Sequence, residues 1–468
     1  MTELGTAENP LRVAIVGSGP AAFYTAEHLL GRDDLSVQVD MYERLPTPYG
    51  LVRFGVAPDH AKIKNVTRVY DKVAARPGFR FYGNVGYGDH LSLDDLERHY
   101  HQVCFATGAQ TDRRMNIPGE DLARSHTATE FVAWYNGHPE YRDCEFDLSV
   151  ERVAVVGVGN VAVDVARILS RTPEELAGTD IADYALEALS NSRVKEVHIL
   201  GRRGPAQAAF TNAEVKELGE LEGADFLLRP DEVELDELSR HAVEAAADPA
   251  LTRKIEILQE AAARNPTGKA RSLTLRFLVS PVEIQGNDAG EVVAVKLVKN
   301  DLFASDDGTL RPRPTDEFED LPVDMVFRSV GYRGVALPDV PFYEKWGTVP
   351  NDCGRVLAEQ GGEQLPGLYV SGWIKRGPSG VIGTNKPDAA ETVERMVADA
   401  VAGRVLVPTD PDPAASDALV RQRQPDAVSF DDWRKLDELE TERGKAEGRP
   451  RVKFCSVEDM LAALRAAR

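Results

Sequence analysis

Short, mostly apolar stretches recur along the chain, at 12–16, 37–42, 102–106, 152–156, 196–200, 323–330 and 368–373. Each reads as a strand buried on both faces, the pattern of a parallel sheet covered by helices. Between them, apolar positions three and four apart mark helices at 20–30, 61–75, 93–99, 161–170, 212–221 and from the glycine-rich turn near 380 to about 401. The helix at 61–75 carries an apolar stripe of Ile63, Val66, Val69, Tyr70 and Val73. Residues 172–191 add an extra helical stretch, and 231–263 read as charged surface helix. Alternating positions at 272–282 and 292–299 predict antiparallel strands. Prolines and glycines make 45–60 a loop, although an unusually apolar one. Residues 409–426, rich in Pro, Asp and Ala, read as a linker, with short amphipathic helices expected at 430–443 and 456–467.

Two of the strand-to-helix junctions are chemically informative. After the first strand comes Gly17-Ser18-Gly19-Pro20-Ala21-Ala22. Gly17 permits the tight turn, Gly19 leaves room for a pyrophosphate, Pro20 and Ala21 open the helix, and Ala22 lets it pack close to the strand. The N–H groups and positive dipole end of that helix then face the phosphates. The next strand ends in Glu43-Arg44, and Glu43 stands about 20 residues beyond the glycines, where a carboxylate accepts from a ribose hydroxyl. The loop that follows would fold over the cofactor, with Leu51 as a wall of the pocket. At Gly157-Val158-Gly159-Asn160-Val161-Ala162 the theme repeats. Here the next strand ends in Gly201-Arg202-Arg203-Gly204. A carboxylate repels a 2′-phosphate, whereas a guanidinium pair binds one. The second site is therefore expected to hold NADP(H). The first, with its acid, is expected to hold FAD, which accepts a hydride and can pass on single electrons. A third glycine-rich turn follows Gly372-Trp373. Its Gly380, Val381 and Ile382 N–H groups are expected at the flavin carbonyl edge, with Trp373 near the ring.

The expected architecture is α/β. It has two Rossmann-like three-layer dinucleotide-binding domains, the second inserted into the first, and a C-terminal extension. The FAD-binding domain comprises 1–108 and 331–405, the NADP-binding domain 109–330, and the extension 406–468.

Composition narrows the class. With 43% hydrophobic and 28% charged residues the chain reads as soluble and globular. No apolar run reaches the ~18 residues of a membrane helix, and residues 1–10 have no signal-peptide pattern, so a cytoplasmic location is expected. A net charge of -21 argues against nucleic acid as a partner. Against that acidity, Lys62, Lys64, Arg68 and Lys72 make the helix at 61–75 stand out, either as a solvated face or as a docking surface for an acidic partner. Cys104, Cys144, Cys353 and Cys455 form no CxxC pair, so no metal site, iron–sulfur cluster or redox disulfide is expected.

On these residues the chain resembles the adrenodoxin reductase family, including bacterial NADPH–ferredoxin reductases, over roughly residues 10–405. The motifs that carry the resemblance are Gly17-Ser-Gly-Pro-Ala, the run 48–60, Gly159-Asn-Val-Ala with Asp164-Val-Ala-Arg, Gly201-Arg-Arg-Gly-Pro, and Gly372-Trp with Lys375-Arg-Gly-Pro-Ser-Gly-Val-Ile. The resemblance implies FAD contacts at Ala21, Glu43, Leu51, Val85, Trp373 and 380–382. It implies NADP contacts at 158–161, Arg202, Arg203, Glu214 and Gly380. It places His60 and Glu214 near the flavin–nicotinamide contact as positioning or proton-relay groups. It also implies an acidic ferredoxin-like iron–sulfur protein as electron acceptor. An NADPH:quinone or diaphorase-type reductase and the electron-input subunit of a larger complex are the alternatives. The segment after about residue 405 is expected to exceed the shared core.

Overall fold

A computed structural model describes residues 3–467. Two sheets carry the fold. In the first, seven strands lie in the order Asn351–Asp352, Arg355–Leu357, Gln364–Val370, Gln102–Phe105, Leu11–Val16, Val37–Tyr42, Phe79–Tyr82. Its last five are parallel, with Val13 beside Val39 and Gln102. The second sheet has the order Ser125–Thr127, Met325–Arg328, Arg152–Val156, Glu196–Leu200, Arg271–Arg276, Ala224–Leu228, all parallel. The antiparallel pair Thr111–Asp112 and Tyr332–Arg333 lies where the chain passes between the two sheets. Every residue of Leu11–Val16 is buried, the apolar ones in the core and Arg12 through its ion pair with Asp40. Helices Pro20–Leu30 and Asn385–Val401 pack on the first sheet and on each other. Among the described residues no helix is long and apolar enough to cross a membrane.

Four local readings change. The alternation at 272–282 spans two strands. Arg271–Arg276 is a parallel strand between Glu196–Leu200 and Ala224–Leu228. The chain then turns through Leu278, at φ 56°, into Val279–Gly286, which does pair antiparallel with Val292–Ala304. Alternation specifies which face is buried, not the direction of the neighbour. The helix at 61–75 is broken into Ala61–Lys64 and Thr67–Ala74, because Asn65 and Val66 bond three residues back instead of four. The loop at 45–60 holds one helical turn, Leu51–Phe54.

The presumed linker is the helix Pro413–Arg423. Asp412 caps it by accepting from the Ala414 N–H, and Pro413 sits in its first turn, a helix-start signature. It is anchored by a buried charge network. Asp40 accepts from Arg12 Nη2 at 2.7 Å, Arg80 Nε at 2.6 Å and the Tyr100 hydroxyl at 2.6 Å. The same two arginines reach the carbonyls of Pro411 and Pro413. The later helices Phe430–Ala446 and Val457–Ala466 put Phe430, Trp433, Leu436, Met460 and Leu464 into the first sheet's core beside Phe23, Tyr49 and Tyr70. The extension is thus part of the first unit's core.

Asp40→Asn leaves two guanidinium groups short of their shared counter-charge in a buried site, so denaturant unfolding is expected to show a loss of about 3–5 kcal/mol.

Candidate functional site

At both glycine turns the backbone does what the spacing requires. Gly17 has φ 103°, and a Cβ there would stand 2.6 Å from the Ala106 carbonyl oxygen. Gly157 has φ 131°, with the Ser329 oxygen only 2.2 Å from the same point. Only glycine fits either position. Gly19 and Gly159 are the opposite case, with no protein atom within 4 Å of a Cβ, so each faces open space above a helix start. The N–H groups of Ser18, Gly19 and Ala21, and of Val158 through Val161, have no acceptor among the described residues. Pro20 and Asn160 begin the two helices, and Ala22 and Ala162 are fully buried beneath them. Free donors, a positive helix end and vacant space fit a dinucleotide pyrophosphate at each turn.

Beside the first turn, Glu43 accepts from the Ser18 hydroxyl at 2.6 Å and from the Leu45 N–H at 3.1 Å. Its carbonyl accepts from the N–H of buried Val85 at 2.8 Å. Arg44 is ion-paired with Glu140. Leu51 stays 37% exposed, as a pocket wall would be. At the third turn Gly372 touches the first helix, since a Cβ there would lie 2.5 Å from that of Ala21. The Trp373 indole N–H donates to the Ser379 carbonyl, and its ring lies 5.4 Å from that of Tyr332. Gly380, Val381 and Ile382 offer N–H groups with no acceptor among the described residues. They precede the helix Asn385–Val401 through the short turn Ile382–Thr384 instead of forming its first turn.

Beside the second turn, Arg202 is exposed and Arg203 half-buried. Neither has a carboxylate partner among the described residues, in a chain with 76 acids. Burial lowers the Arg203 pKa, and the neighbouring Arg202 charge lowers it further. Two unneutralised guanidinium groups side by side are an anion site. The turn also fixes the next helix. The Val158 carbonyl accepts from Ala209 and Phe210, and the Asn160 side chain accepts from Thr211, which caps Asn212–Leu218.

That helix brings Glu214 and Glu217 to His60, which belongs to the other unit. His60 Nε2 lies 2.9 Å from Glu217 and 3.9 Å from Glu214, and its Nδ1 is 3.9 Å from Asp164. Beneath them sits Arg167, with its side chain 0% exposed. It donates to Asp59 through Nε at 2.7 Å, to Asp164 through Nη2 at 2.7 Å and to Glu214 through Nη1 at 3.2 Å. Arg171 adds a second contact to Asp59 at 2.7 Å. Burial raises the Asp59 pKa, but its two arginines outweigh this and hold it well below the ordinary carboxylate range. Burial also opposes charge on His60, yet the bond to Glu217 and the nearby acids bring the net shift upward. For Glu214, burial and the Asp164 charge outweigh Arg167 and His60, and its pKa rises to about 7. The group holds a proton that moves near neutrality.

The family model described as "Pyridine nucleotide-disulphide oxidoreductase" matches residues 11–218. The chain is 46% identical to the Mycobacterium tuberculosis "NADPH-ferredoxin reductase FprA" over 461 residues, 97% of this chain and 98% of that protein. It is 42% identical to the human "NADPH:adrenodoxin oxidoreductase, mitochondrial" over 471 residues, 98% of this chain and 93% of that one. The solved structure of "Mycobacterium tuberculosis FprA in complex with NADPH" superimposes with a TM-score of 0.92 at 44% identity, covering 98% of this chain and 100% of that one. The chain belongs to the adrenodoxin reductase family.

Because these matches run the length of both chains, the extension after residue 405 is shared with adrenodoxin reductase-type relatives and is no addition to a shorter core. Sequence reasoning found His60 and Glu214 but not Asp59, Arg167 or Glu217 as site residues. The signal was faint: Asp59 adjoins His60, and Asp164 and Arg167 are one turn apart on the second fingerprint helix. His60, Glu214 and Glu217 also offer atoms within 4.8 Å of one another, a spacing compatible with a metal ion. Arg167 already contributes a positive charge to Glu214 there.

Replacing Arg202 and Arg203 with alanine is expected to raise the KM for NADPH by roughly 10–100-fold, a combined loss of about 1.5–3 kcal/mol. The KM for NADH should change far less in the same steady-state assay, and equal losses would contradict the assignment. As pH rises through about 7, Glu214 loses its proton and adds a negative charge beside the second turn. The dissociation constant for NADPH, followed by fluorescence titration, is therefore expected to rise over that range and to rise less in Glu214→Gln.

Proposed function

We propose that this protein is an NADPH–ferredoxin reductase, which holds FAD at the first glycine turn and NADP(H) at the second and delivers electrons to a ferredoxin-type iron–sulfur protein. The observation that carries the reading is the pairing of two phosphate-ready turns with opposite neighbours, a carboxylate at one and an unpaired arginine pair at the other. When bound, NADPH supplies a hydride, and FAD takes it up and passes on single electrons.

The protein's own part is binding, orientation and charge. Ser18, Gly19 and Ala21 hold the first pyrophosphate, and Ser18 aims Glu43 at the ribose. Arg202 and Arg203 hold the 2′-phosphate of the second nucleotide, while Val158 through Val161 hold its pyrophosphate. The N–H groups of Gly380, Val381 and Ile382 stabilise negative charge at the carbonyl edge of the flavin. Hydride transfer requires no base, so His60 and Glu214 position the nicotinamide and exchange a proton with solvent. Proximity supplies most of the acceleration. The four cysteines are free thiols, consistent with electrons leaving singly and not through a disulfide. They also support a reducing compartment, and we place the enzyme in the cytoplasm.

The acceptor in this reading is an acidic protein. Lys62, Arg68 and Lys72 are all exposed on the two helices at 61–74 and form no ion pair among the described residues. Asp71, the acid among them, turns inward and accepts from the Tyr49 hydroxyl. Lys64 turns inward as well, onto Asp180. Ile63 and Val69, 42% and 36% exposed, supply apolar contact among the three charges.

The purified protein is expected to be yellow, to bleach anaerobically with NADPH, and to reduce cytochrome c only when a ferredoxin is supplied. That relay is expected to slow as salt rises and to fall about tenfold in the Lys62→Glu, Lys72→Glu double variant. A colourless protein that takes up no flavin would exclude the reading, and salt-independent cytochrome reduction without ferredoxin would favour the quinone or diaphorase alternative.

A further inference from the structure

The loop at 49–60 carries Leu51 and His60, and it is held between the first glycine turn and the C-terminal segment. On the cofactor side, the Tyr49 N–H donates to the Ser18 carbonyl at 3.0 Å. Gly50, at φ 49°, lies so close that a Cβ would be 3.1 Å from the Gly19 Cα. On the far side, the Trp433 indole N–H donates to the Tyr49 hydroxyl at 3.2 Å. The Arg53 guanidinium lies over the Trp433 ring and makes two hydrogen bonds to Glu440, at 2.9 and 2.5 Å. Glu440 is 0% exposed and also accepts from the Phe454 N–H and from Arg451.

The same segment grips the second unit. Lys453, its side chain 1% exposed, stands 3.3 Å from Asp180 and donates to the Asn136 carbonyl at 3.1 Å. Its ammonium also reaches the Arg53 carbonyl at 3.5 Å, so one side chain meets the cofactor loop and the second unit at once. Arg449 donates to the carbonyls of Thr179 and Ile181 and pairs with Asp183. Lys64, from the helix after His60, closes the circuit on Asp180 at 2.7 Å. Burying four basic side chains around two carboxylates is a poor way to gain stability, because desolvation offsets most of the attraction and pushes the Lys453 pKa down to about 7. What such a cluster does supply is a defined geometry between the segments it joins.

We propose that residues 433–453 are an interdomain strap in which Glu440 and Lys453 are positioning residues. Glu440 seats the loop at 49–54 on the first turn, and Lys453 ties that loop to Asp180, so that the two nucleotide sites keep a fixed separation. The inference rests on the reading of those turns as the FAD and NADP(H) sites. It goes beyond that reading by assigning a role to the C-terminal extension.

The test uses the full-length holoenzyme. Lys453→Met keeps most of the side-chain volume and removes only the ties. It is expected to speed amide hydrogen exchange about tenfold in 49–60 and 179–183, with the strand at 196–200 unchanged. Stopped-flow reduction of the bound flavin by NADPH is expected to slow about tenfold, with the NADPH dissociation constant unchanged within about twofold. Glu440→Gln is expected to speed exchange in 49–54 and to hasten FAD release. Unchanged exchange and an unchanged reduction rate in Lys453→Met would overturn the strap. So would uniformly faster exchange across both sheets, which would mean general destabilisation. Failure of the underlying reading shows separately, as wild-type protein without flavin absorbance.

Discussion

A guanidinium with no access to water must find its counter-charges in the protein, and for Arg167 those counter-charges come from two sheets. Asp59 belongs to the loop that follows the first nucleotide fold. Asp164 and Glu214 belong to the second. Separating the two units would break the contacts of Asp59 to Arg167 and Arg171 and leave Arg167 with Asp164 and Glu214 alone. The interaction also decides protonation. Asp59 and Arg167 stay charged, so the change near neutrality falls on Glu214, while the bond to Glu217 and the nearby acids favour the charged form of His60. One salt cluster thus joins the two units and includes the group that titrates near neutrality.

Around that cluster the two units repeat one solution to one problem. A pyrophosphate needs donors that cost no side-chain ordering, and the N–H groups at a glycine-led helix start provide them. Both turns have a left-handed first glycine jammed against a neighbouring carbonyl, an open second glycine and a buried alanine beneath. They differ where the next strand ends. Glu43 is held by Ser18 in the first unit, and a free arginine pair stands in the second. In the proposed reading, that difference of charge separates an unphosphorylated ribose from a 2′-phosphorylated one.

The C-terminal helices bear on the same cleft from behind. Their apolar faces complete the first unit's core through Trp433, Leu436 and Met460, and the segment between them meets the second unit through Arg449 at Asp183 and Lys453 at Asp180. Relatives that match this chain from end to end carry the same segment. Its placement ties the cofactor loop to both units at once.

The residues within each turn were legible because they are local. Gly17, Gly19 and Ala22, like Gly157, Gly159 and Ala162, are dictated by a backbone path of six residues, and Glu43 and the Arg202–Arg203 pair follow from where the next strand ends. Parallel strands were legible from unbroken apolar runs. Chain direction at 271–276 and the helix at 413–423 were not, since alternation is silent about a partner's direction and the anchors of that helix, Arg12 and Arg80, lie more than 300 residues away in sequence. Arg167 could not be recognised as the centre of the site for the same reason. An arginine one turn from an aspartate looks like any solvated helix pair until Asp59 and Glu214 close over it. By itself the sequence determined the two glycine turns and the opposite charges beside them, because these are set by neighbours along the backbone. Only the tertiary structure decided how the two sites face each other, because that depends on buried charges whose partners meet only when the chain has folded.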